Sequence, residues 1–205
     1  MKFIHTSDLH LSSEMESRLP PEKARARRKE LIAHLGIPFE ICVSDADERL
    51  DGPLSPAETV KELSKRKAKA VAATHPDDII LGVDTVVSID GRILGKPKDT
   101  EDARAMLRLL SGRTHTVYSG FTLTGKAGTY SESVATRVTF AQMSDLEIES
   151  YIASREPMDK AGAYGIQGLG GRYVIGMEGD YHSVVGLPLQ RIYIALRDRY
   201  GVEFK

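Results

Sequence analysis

The sequence predicts a mixed α/β fold in which helices flank a twisted sheet. Segments with strand patterns and segments with helix patterns alternate along most of the 205 residues, an order that is typical of α/β proteins. Turn signals also join some neighbouring strands directly, so we expect antiparallel as well as parallel pairs in the sheet. With 41% apolar and 28% charged residues, the composition is that of an ordinary globular chain.

The first part of the chain begins with a short apolar stretch, and Lys2 to Thr6 is predicted to form a strand. A helical pattern ends at Gly36, and a strand over Phe39 to Ser44 follows. The next helix has the clearest start signal, because Ser55 is followed by Pro at the first helical position and by Glu three residues after the cap. This pattern is a capping box, and the helix is predicted to run to about Thr74.

The rest of the chain contains more predicted strands than helices. The apolar run Ile79 to Ile89 predicts a buried strand, and Asp90-Gly91 turns it into a hairpin with Arg92 to Leu94. Tyr173 to Met177 and Tyr181 to Val185 are predicted to pair as another hairpin. The other predicted elements are a helix over Thr100 to Leu110, strands over His115 to Thr122 and Tyr130 to Phe140, a helix from Ser144, a Gly-rich loop over Ala161 to Gly171 and a helix over Leu187 to Arg197.

Charge and cysteine content exclude several kinds of partner and location. The net charge of −1 provides no field that would attract nucleic acid or a membrane surface. No apolar run approaches the ~18 residues of a membrane span, and the N-terminus lacks the apolar stretch of a signal peptide. The single cysteine, Cys42, has no disulfide partner. We therefore expect a cytoplasmic protein that binds neither nucleic acid nor membrane.

Asp84 is the most informative single residue, because it interrupts an apolar strand. A carboxylate in such a place is costly unless it meets a cation, a metal or several hydrogen-bond donors. We expect Asp84 at a strand end facing a cleft, where it either takes part in chemistry or only caps a loop or pairs with a lysine. Glu48, near Asp45 and Asp47, belongs either to a solvated turn or to a metal site that faces Asp84. Such hard oxygen ligands suit Mg²⁺ or Mn²⁺.

Basic residues that could bind phosphate fall into three groups. Arg27 and Arg28 lie near the start of a predicted helix, where a planar guanidinium and the helix dipole both favour an anion. Lys67 lies in a basic run of the next helix, and Lys96 lies in a Gly-Lys-Pro turn. The alternative for each group is a solvated basic face.

The Gly-rich loop allows the backbone to approach a ligand closely. It has neither the spacing of a Walker A loop nor that of a dinucleotide fingerprint. Gln167, within this loop, offers one donor and one acceptor, which match the edge of uracil or thymine.

Several stretches carry a resemblance to a known family, in the same order along the chain. They include Arg27-Arg28-Lys29-Glu30-Leu31, Lys67-Ala68-Lys69-Ala70, Gly82-Val83-Asp84-Thr85, Leu94-Gly95-Lys96-Pro97, the run from Asp159 to Gly168 and Val185-Gly186-Leu187-Pro188. In these stretches the chain resembles the Maf family of nucleoside triphosphate pyrophosphatases. The resemblance implies a two-lobed fold related to the inosine-triphosphate pyrophosphatases, with a central cleft, and a homodimer. It also implies that nucleoside triphosphates are hydrolysed between the α and β phosphates with a divalent metal, Mg²⁺ or Mn²⁺.

Residue roles are likewise implied by the resemblance. Asp84 would be the catalytic residue that activates water, directly or by way of the metal, and Glu48 would share the metal with it. Ile166-Gln167-Gly168 is similar to the branch that acts on dTTP and UTP, rather than the branch that prefers a methylated guanosine triphosphate. The residues expected to bind substrate are Arg27, Arg28, Lys67, Thr85, Lys96 and Gln167.

The N-terminal region departs from the family pattern. Lys23-Ala24-Arg25-Ala26 stands where the family has Ser-x-Ser-Pro, whose hydroxyls and backbone amides help to hold the triphosphate. We therefore divide the chain into an atypical N-terminal segment, residues 1–22, and a Maf-like domain, residues 23–205. The strand predicted over Lys2 to Thr6 either replaces the first strand of the family or is foreign to it.

Two other functions remain open from the sequence. The altered phosphate-binding region could leave a nucleotide-binding regulator, linked to cell division, that no longer turns its ligand over. Asp8-Leu9-His10 also resembles the metal-binding start of the calcineurin-like metallophosphoesterases, although the later motifs of that signature are missing from the sequence.

Overall fold

The computed structural model describes residues 3–6, 29–50 and 52–204. Within these residues the strands are β1 (Phe3–Thr6), β2 (Phe39–Cys42), β3 (Ile79–Ile89), β4 (Arg92–Leu94), β5 (Thr114–Gly125), β6 (Gly128–Phe140) and β7 (Val174–Glu178). The helices are α1 (Pro56–Ala72), α2 (Thr100–Leu110), α3 (Asp145–Ala153), α4 (Tyr181–Val185) and α5 (Leu189–Tyr200). Residues 29–33 are also helical, and short 3₁₀ helices cover Glu156–Asp159, Ala161–Ala163 and Leu169–Tyr173.

The strands form one mixed sheet in the order β2-β1-β3-β5-β6-β7, with β4 paired to β3. β1 is parallel to both β2 and β3, whereas the β3–β4 and β6–β7 pairs are antiparallel. The predicted mixed α/β fold is therefore confirmed, and so is the short strand predicted at the start of the chain. The β3–β4 turn has positive φ at both Asp90 and Gly91, which the Asp-Gly pair tolerates in this type of tight hairpin.

The chain divides into two compact units. The first combines Met1–Asp84, Ser119–Ser133 and Gly186–Lys205, and the second combines Thr85–Tyr118 and Val134–Val185. The boundary predicted at residue 22 stays a prediction, and so does the central cleft.

In the first unit, α1 packs against the sheet. Ser55 accepts from the backbone N–H of Glu58, and the Glu58 carboxylate accepts from the backbone N–H of Ser55, so the predicted capping box begins this helix. Ile4 of β1 and Ile80 of β3 are fully buried in a small core with residues of α1, and Cys42 packs against its edge. The strand from the atypical N-terminal segment is thus part of the hydrophobic core of this unit.

In the second unit, the core is built around α2, α3 and the end of β6. Fully or almost fully buried side chains include those of Leu107, Phe140, Ile148 and Tyr151. α3 starts at a second capping box, formed by Ser144 and Glu147, which was predicted as a helix start. These elements form a packed support for the Gly-rich segment that follows α3.

One element differs in type from the prediction. Tyr181–Val185 was predicted to be a strand but is a short helix, α4. The carboxylate of Asp180 accepts from the backbone N–H of His182 at 2.9 Å, and the Asp180 carbonyl accepts from Val184. This local capping favours a helical turn over the extended backbone that the valines suggested.

Candidate active site

Lys67 lies on the buried face of α1, although the basic run around it suggested a solvated surface. The buried positions of this helix recur every three to four residues, and they are Thr59, Val60, Leu63, Ser64, Lys67, Ala68 and Val71. Helical periodicity therefore places a cation in an otherwise uncharged stripe that faces the sheet. The Lys67 side chain is only 3% exposed.

Two carboxylates surround the ammonium group of Lys67. Its Nζ donates to Asp84 Oδ1 at 2.5 Å and lies 2.8 Å from Glu48 Oε1. The Asp84 side chain is 13% exposed and that of Glu48 23%. The structure thus brings together three of the predicted site residues, from α1, β3 and the segment after β2. The ammonium compensates the charge of Asp84 in its apolar strand.

Asp84 lies in the middle of β3, not at a strand end as expected. Every other residue of this strand except Thr85 is buried. Because Lys67 supplies a partner within the unit, the strand can continue through the carboxylate.

Close packing of α1 on β3 makes this ion pair possible. A Cβ added at Gly82 would lie 2.2 Å from the carbonyl oxygen of Ser64 and 2.8 Å from the backbone nitrogen of Ala68. Only glycine at position 82 therefore allows the backbone of α1 to come this near to β3. The contact lies one helical turn from Lys67 on α1 and two residues before Asp84 on β3. The glycine of the Gly-x-Asp-Thr stretch has a packing reason as well as a place in a motif.

Arg66, the residue before Lys67, holds the segment that carries Glu48. Arg66 donates to the carbonyl oxygens of Asp47 at 3.2 Å and Arg49 at 2.7 Å, so it holds the backbone on both sides of Glu48. The Asp47 carboxylate accepts hydrogen bonds from Arg49, and these lower the pKa of Asp47 to about 2. Of the three predicted acidic residues in this segment, Glu48 is the one that pairs with Lys67.

Three predicted substrate-binding residues, Thr85, Lys96 and Gln167, belong to the second unit. Thr85 follows Asp84 on β3 and is partly buried, whereas Lys96 and Gln167 are exposed. The carbonyl oxygen of Gly95 accepts from the backbone N–H of Gly162 at 3.0 Å. This hydrogen bond holds the turn that carries Lys96 beside the Gly-rich segment. Arg27 and Arg28 lie outside the described residues, as do Asp8 and His10.

A surface groove of about 560 Å³ lies along the outer side of α1 in the first unit. Charged residues of α1 line it together with Leu50, Leu54 and Ser131. Neither Asp84, Glu48 nor Lys67 contributes to its lining. The groove is thus separate from the carboxylate pair.

Comparison with known proteins assigns the family. A family model described as Maf-like protein matches residues 24–199. The chain belongs to the Maf family.

Relatives of this Maf protein share one name. A dTTP/UTP pyrophosphatase from Bacillus cytotoxicus is 50% identical over 171 residues, which cover 83% of this chain and 90% of the relative. A dTTP/UTP pyrophosphatase from Bacillus anthracis is 48% identical with the same coverage. Among solved structures, a HAM1 protein from Coxiella burnetii covers 97% of this chain and is itself covered completely, at 12% identity and a TM-score of 0.47. The Staphylococcus aureus Ham1 protein covers 68% of this chain, and 72% of it is covered, at 14% identity and a TM-score of 0.41.

The carboxylates of the site fit a divalent metal that is shared with a ligand. Asp84 and Glu48 bring hard oxygen donors to one ammonium group, and Mg²⁺ is commonly held by one or two carboxylates together with substrate phosphates. Among the described residues, no group of three or more His, Cys, Asp or Glu side chains could enclose a metal alone. The donor set therefore suits a metal that arrives with a phosphate ligand.

Two residues with a clear place beside Gln167 were missed at the sequence level. Tyr151 and Glu156 hydrogen-bond to the backbone of the Gly-rich segment. No local pattern marks them, because they act through backbone groups far along the chain.

In the part of the chain that is described, no helix is both long enough and apolar enough to span a bilayer.

Proposed function

We propose that this Maf protein hydrolyses dTTP and UTP to the monophosphate and pyrophosphate. The observation that carries the proposal is the contact of Lys67 with both Asp84 and Glu48. In this proposal, Asp84 would activate water, Lys67 would neutralise phosphate charge, and Glu48 would share a metal with Asp84. The names of relatives that are about half identical support the choice of substrate.

In this proposal, Asp84 orients and deprotonates the attacking water. Positioned general bases of this kind contribute roughly 10²- to 10⁴-fold to a rate. Lys67 balances the charge of the carboxylates before the substrate binds and offsets phosphate charge during transfer, when positioning and electrostatic stabilisation dominate. Asp84 and Glu48 would hold Mg²⁺ or Mn²⁺, which would neutralise the negative charge of the phosphates when bound.

In this proposal, residues from three parts of the chain bind the substrate. Arg27, Arg28 and Lys96 would bind phosphate oxygens, and Thr85 would contact the substrate beside Asp84. Gln167 would read the pyrimidine edge with its amide, which offers a donor and an acceptor. The exposure of Gln167 and Lys96 supports these roles, since both side chains can be reached by a ligand.

We also propose that the protein works in the cytoplasm as a homodimer and binds neither nucleic acid nor membrane. The family resemblance is the support for the dimer, and the low net charge is the support for the absence of polyanionic partners. Sedimentation velocity of the purified full chain would give the oligomeric state. A species with the mass of one chain would contradict the dimer.

A nucleotide-binding protein without turnover is the second candidate. The observation in its favour is Lys23-Ala24-Arg25-Ala26, which replaces two hydroxyls of the phosphate-binding pattern of the family. Both candidates predict nucleotide binding, and they differ in the release of pyrophosphate.

One assay separates the two candidates. Pyrophosphate release by the full chain is measured with a panel of nucleoside triphosphates and Mg²⁺ or Mn²⁺, beside the Asp84→Asn variant. Release from dTTP and UTP that the variant loses supports the enzyme. Binding of dTTP without release by the unmodified chain would contradict the enzyme and favour the regulator.

A further inference from the structure

The loop that presents Gln167 rests on the side chain of Glu156. Oε2 of this carboxylate accepts from the backbone N–H of Leu169 at 2.9 Å, and Oε1 accepts from that of Gly170 at 3.1 Å. Both donors lie just beyond Gln167 in the chain. One carboxylate therefore holds the part of the loop that follows Gln167.

Tyr151 extends this support to the other side of the loop. Its hydroxyl donates to Glu156 Oε1 at 2.8 Å and accepts from the backbone N–H of Gly165 at 3.1 Å. The Tyr151 side chain comes from α3 and is fully buried. Gln167 thus lies between two backbone segments, one bonded to Tyr151 and the other to Glu156, and these two side chains are bonded to each other.

At two positions of the loop these side chains come so close that an added Cβ would displace them. A Cβ at Gly168 would lie 2.3 Å from Glu156 Oε2, and a Cβ at Gly170 would lie 2.4 Å from the Tyr151 hydroxyl. The glycines on both sides of Leu169 therefore bring the backbone N–H groups within reach of the carboxylate. The Gly-rich character of this segment has a structural cause besides access for a ligand.

Glu156 accepts three hydrogen bonds, and this set of donors favours its ionised form. Burial by itself raises the pKa of Glu156, but the hydrogen bonds from Leu169, Gly170 and Tyr151 outweigh it and leave the pKa below its ordinary value. At neutral pH the side chain is therefore an acceptor at both oxygens. Gln in its place would direct an NH₂ group at one of these donors.

We propose that Glu156 is a positioning residue for base selection, and that it acts by fixing the loop on which Gln167 reads the pyrimidine. The inference rests on the proposed function, in which Gln167 contacts the base. Glu156 does not touch the substrate in this scheme. It restricts the conformations of the loop before the nucleotide binds, so that less conformational entropy is lost on binding. Loss of such pre-organisation weakens binding.

The test compares the Glu156→Gln variant with the unmodified chain. Because Gln at position 156 would leave one of these donors without its charged acceptor, we expect KM for dTTP and UTP to rise about tenfold. We expect kcat to change by less than about twofold, since the groups of the first unit are intact. The preference for dTTP over GTP should fall by the same factor of about ten. Glu178→Gln is the matched control, because its carboxylate pairs with Arg137 at the surface, and its kinetics should be unchanged.

Tyr151→Phe provides a second variant that keeps the carboxylate and both of its backbone donors from Leu169 and Gly170. It should show the same change in preference to a smaller degree, and it keeps the inference testable if Glu156→Gln does not fold. An unchanged preference in Tyr151→Phe together with a loss of thermal stability would assign these residues to stability alone and overturn the inference.

Gln167→Ala separates this inference from the proposed function. If Glu156 acts through Gln167, then Glu156→Gln should add no further loss of base preference in the Gln167→Ala background. Loss of preference in Gln167→Ala but not in Glu156→Gln would overturn the inference and leave the proposed function in place. Unchanged preference in Gln167→Ala would refute the base contact itself, and with it the inference, while pyrophosphate release from dTTP would still support the reaction.

Discussion

Removal of the Lys67 ammonium should destabilise the first unit much more than removal of either of its acidic partners. In Lys67→Met the buried side chain keeps a similar length and apolar body, so packing is largely preserved. The change leaves Asp84 and Glu48, which are 13% and 23% exposed, without the cation that lies 2.5 and 2.8 Å from their oxygens. We expect a loss of about 3–5 kcal/mol in the free energy of unfolding, the usual cost of breaking a buried ion pair on one side.

The acidic variant behaves differently because the site holds two carboxylates for one ammonium. In Asp84→Asn, Lys67 keeps its ion pair with Glu48, and the amide oxygen of Asn can still accept from Nζ. We therefore expect a change of about 1 kcal/mol or less in stability, while turnover falls by about 10²- to 10⁴-fold. The double variant Lys67→Met/Asp84→Asn should regain about 1–3 kcal/mol relative to Lys67→Met, because the repulsion of two unpaired carboxylates is removed.

Urea denaturation followed by circular dichroism at pH 7, with chelator present, measures these differences. For a chain of this length, 1 kcal/mol corresponds to about 2–4 °C in Tm, so thermal unfolding gives an independent check. Lys69→Met is the matched control, because Lys69 lies on the exposed face of the same helix. If Lys67→Met costs no more than Lys69→Met, or if the two changes of the double variant are additive, the reasoning about the buried ion pairs is wrong.

Three further predictions concern single positions. Gly82→Ala should destabilise the protein by about 1–3 kcal/mol and reduce turnover, because its Cβ would lie 2.2 Å from the Ser64 carbonyl oxygen; an unchanged Tm would contradict this. His115 is 2% exposed, and burial lowers its pKa to about 4, so the unfolded chain binds the proton more tightly. Lowering the pH from 7 to 4.5 should therefore reduce the free energy of unfolding by about 2 kcal/mol through His115 alone. Urea titrations of His115→Phe at both pH values should lack this part of the pH dependence. Arg155 has a φ of 64°, so Arg155→Gly should raise Tm by about 2–4 °C through relief of about 1 kcal/mol of strain, and calorimetry that shows a lower Tm would refute it.

Local patterns predicted much of the fold correctly. The capping boxes at Ser55 and Ser144 begin two helices as expected, and the Asp90-Gly91 turn joins the expected hairpin. Signals of this kind act over a few residues, so they can be read without tertiary contacts. The same reading was wrong for Tyr181–Val185 because the side chain and carbonyl of one preceding residue, Asp180, decide between helix and strand.

The sequence by itself determined that Asp84 is unusual, since a carboxylate in an apolar strand needs a partner, and it determined the family through motifs that keep their order. Only the tertiary structure decided that this partner is Lys67, which helical spacing and the close approach at Gly82 place on the buried face of α1. It also decided that Glu156 supports the loop of Gln167, because that contact runs to backbone N–H groups that every residue except proline carries. The physical reason is the same in both cases: side-chain chemistry is written in the sequence, but the distance between two groups far apart in the chain is set by packing.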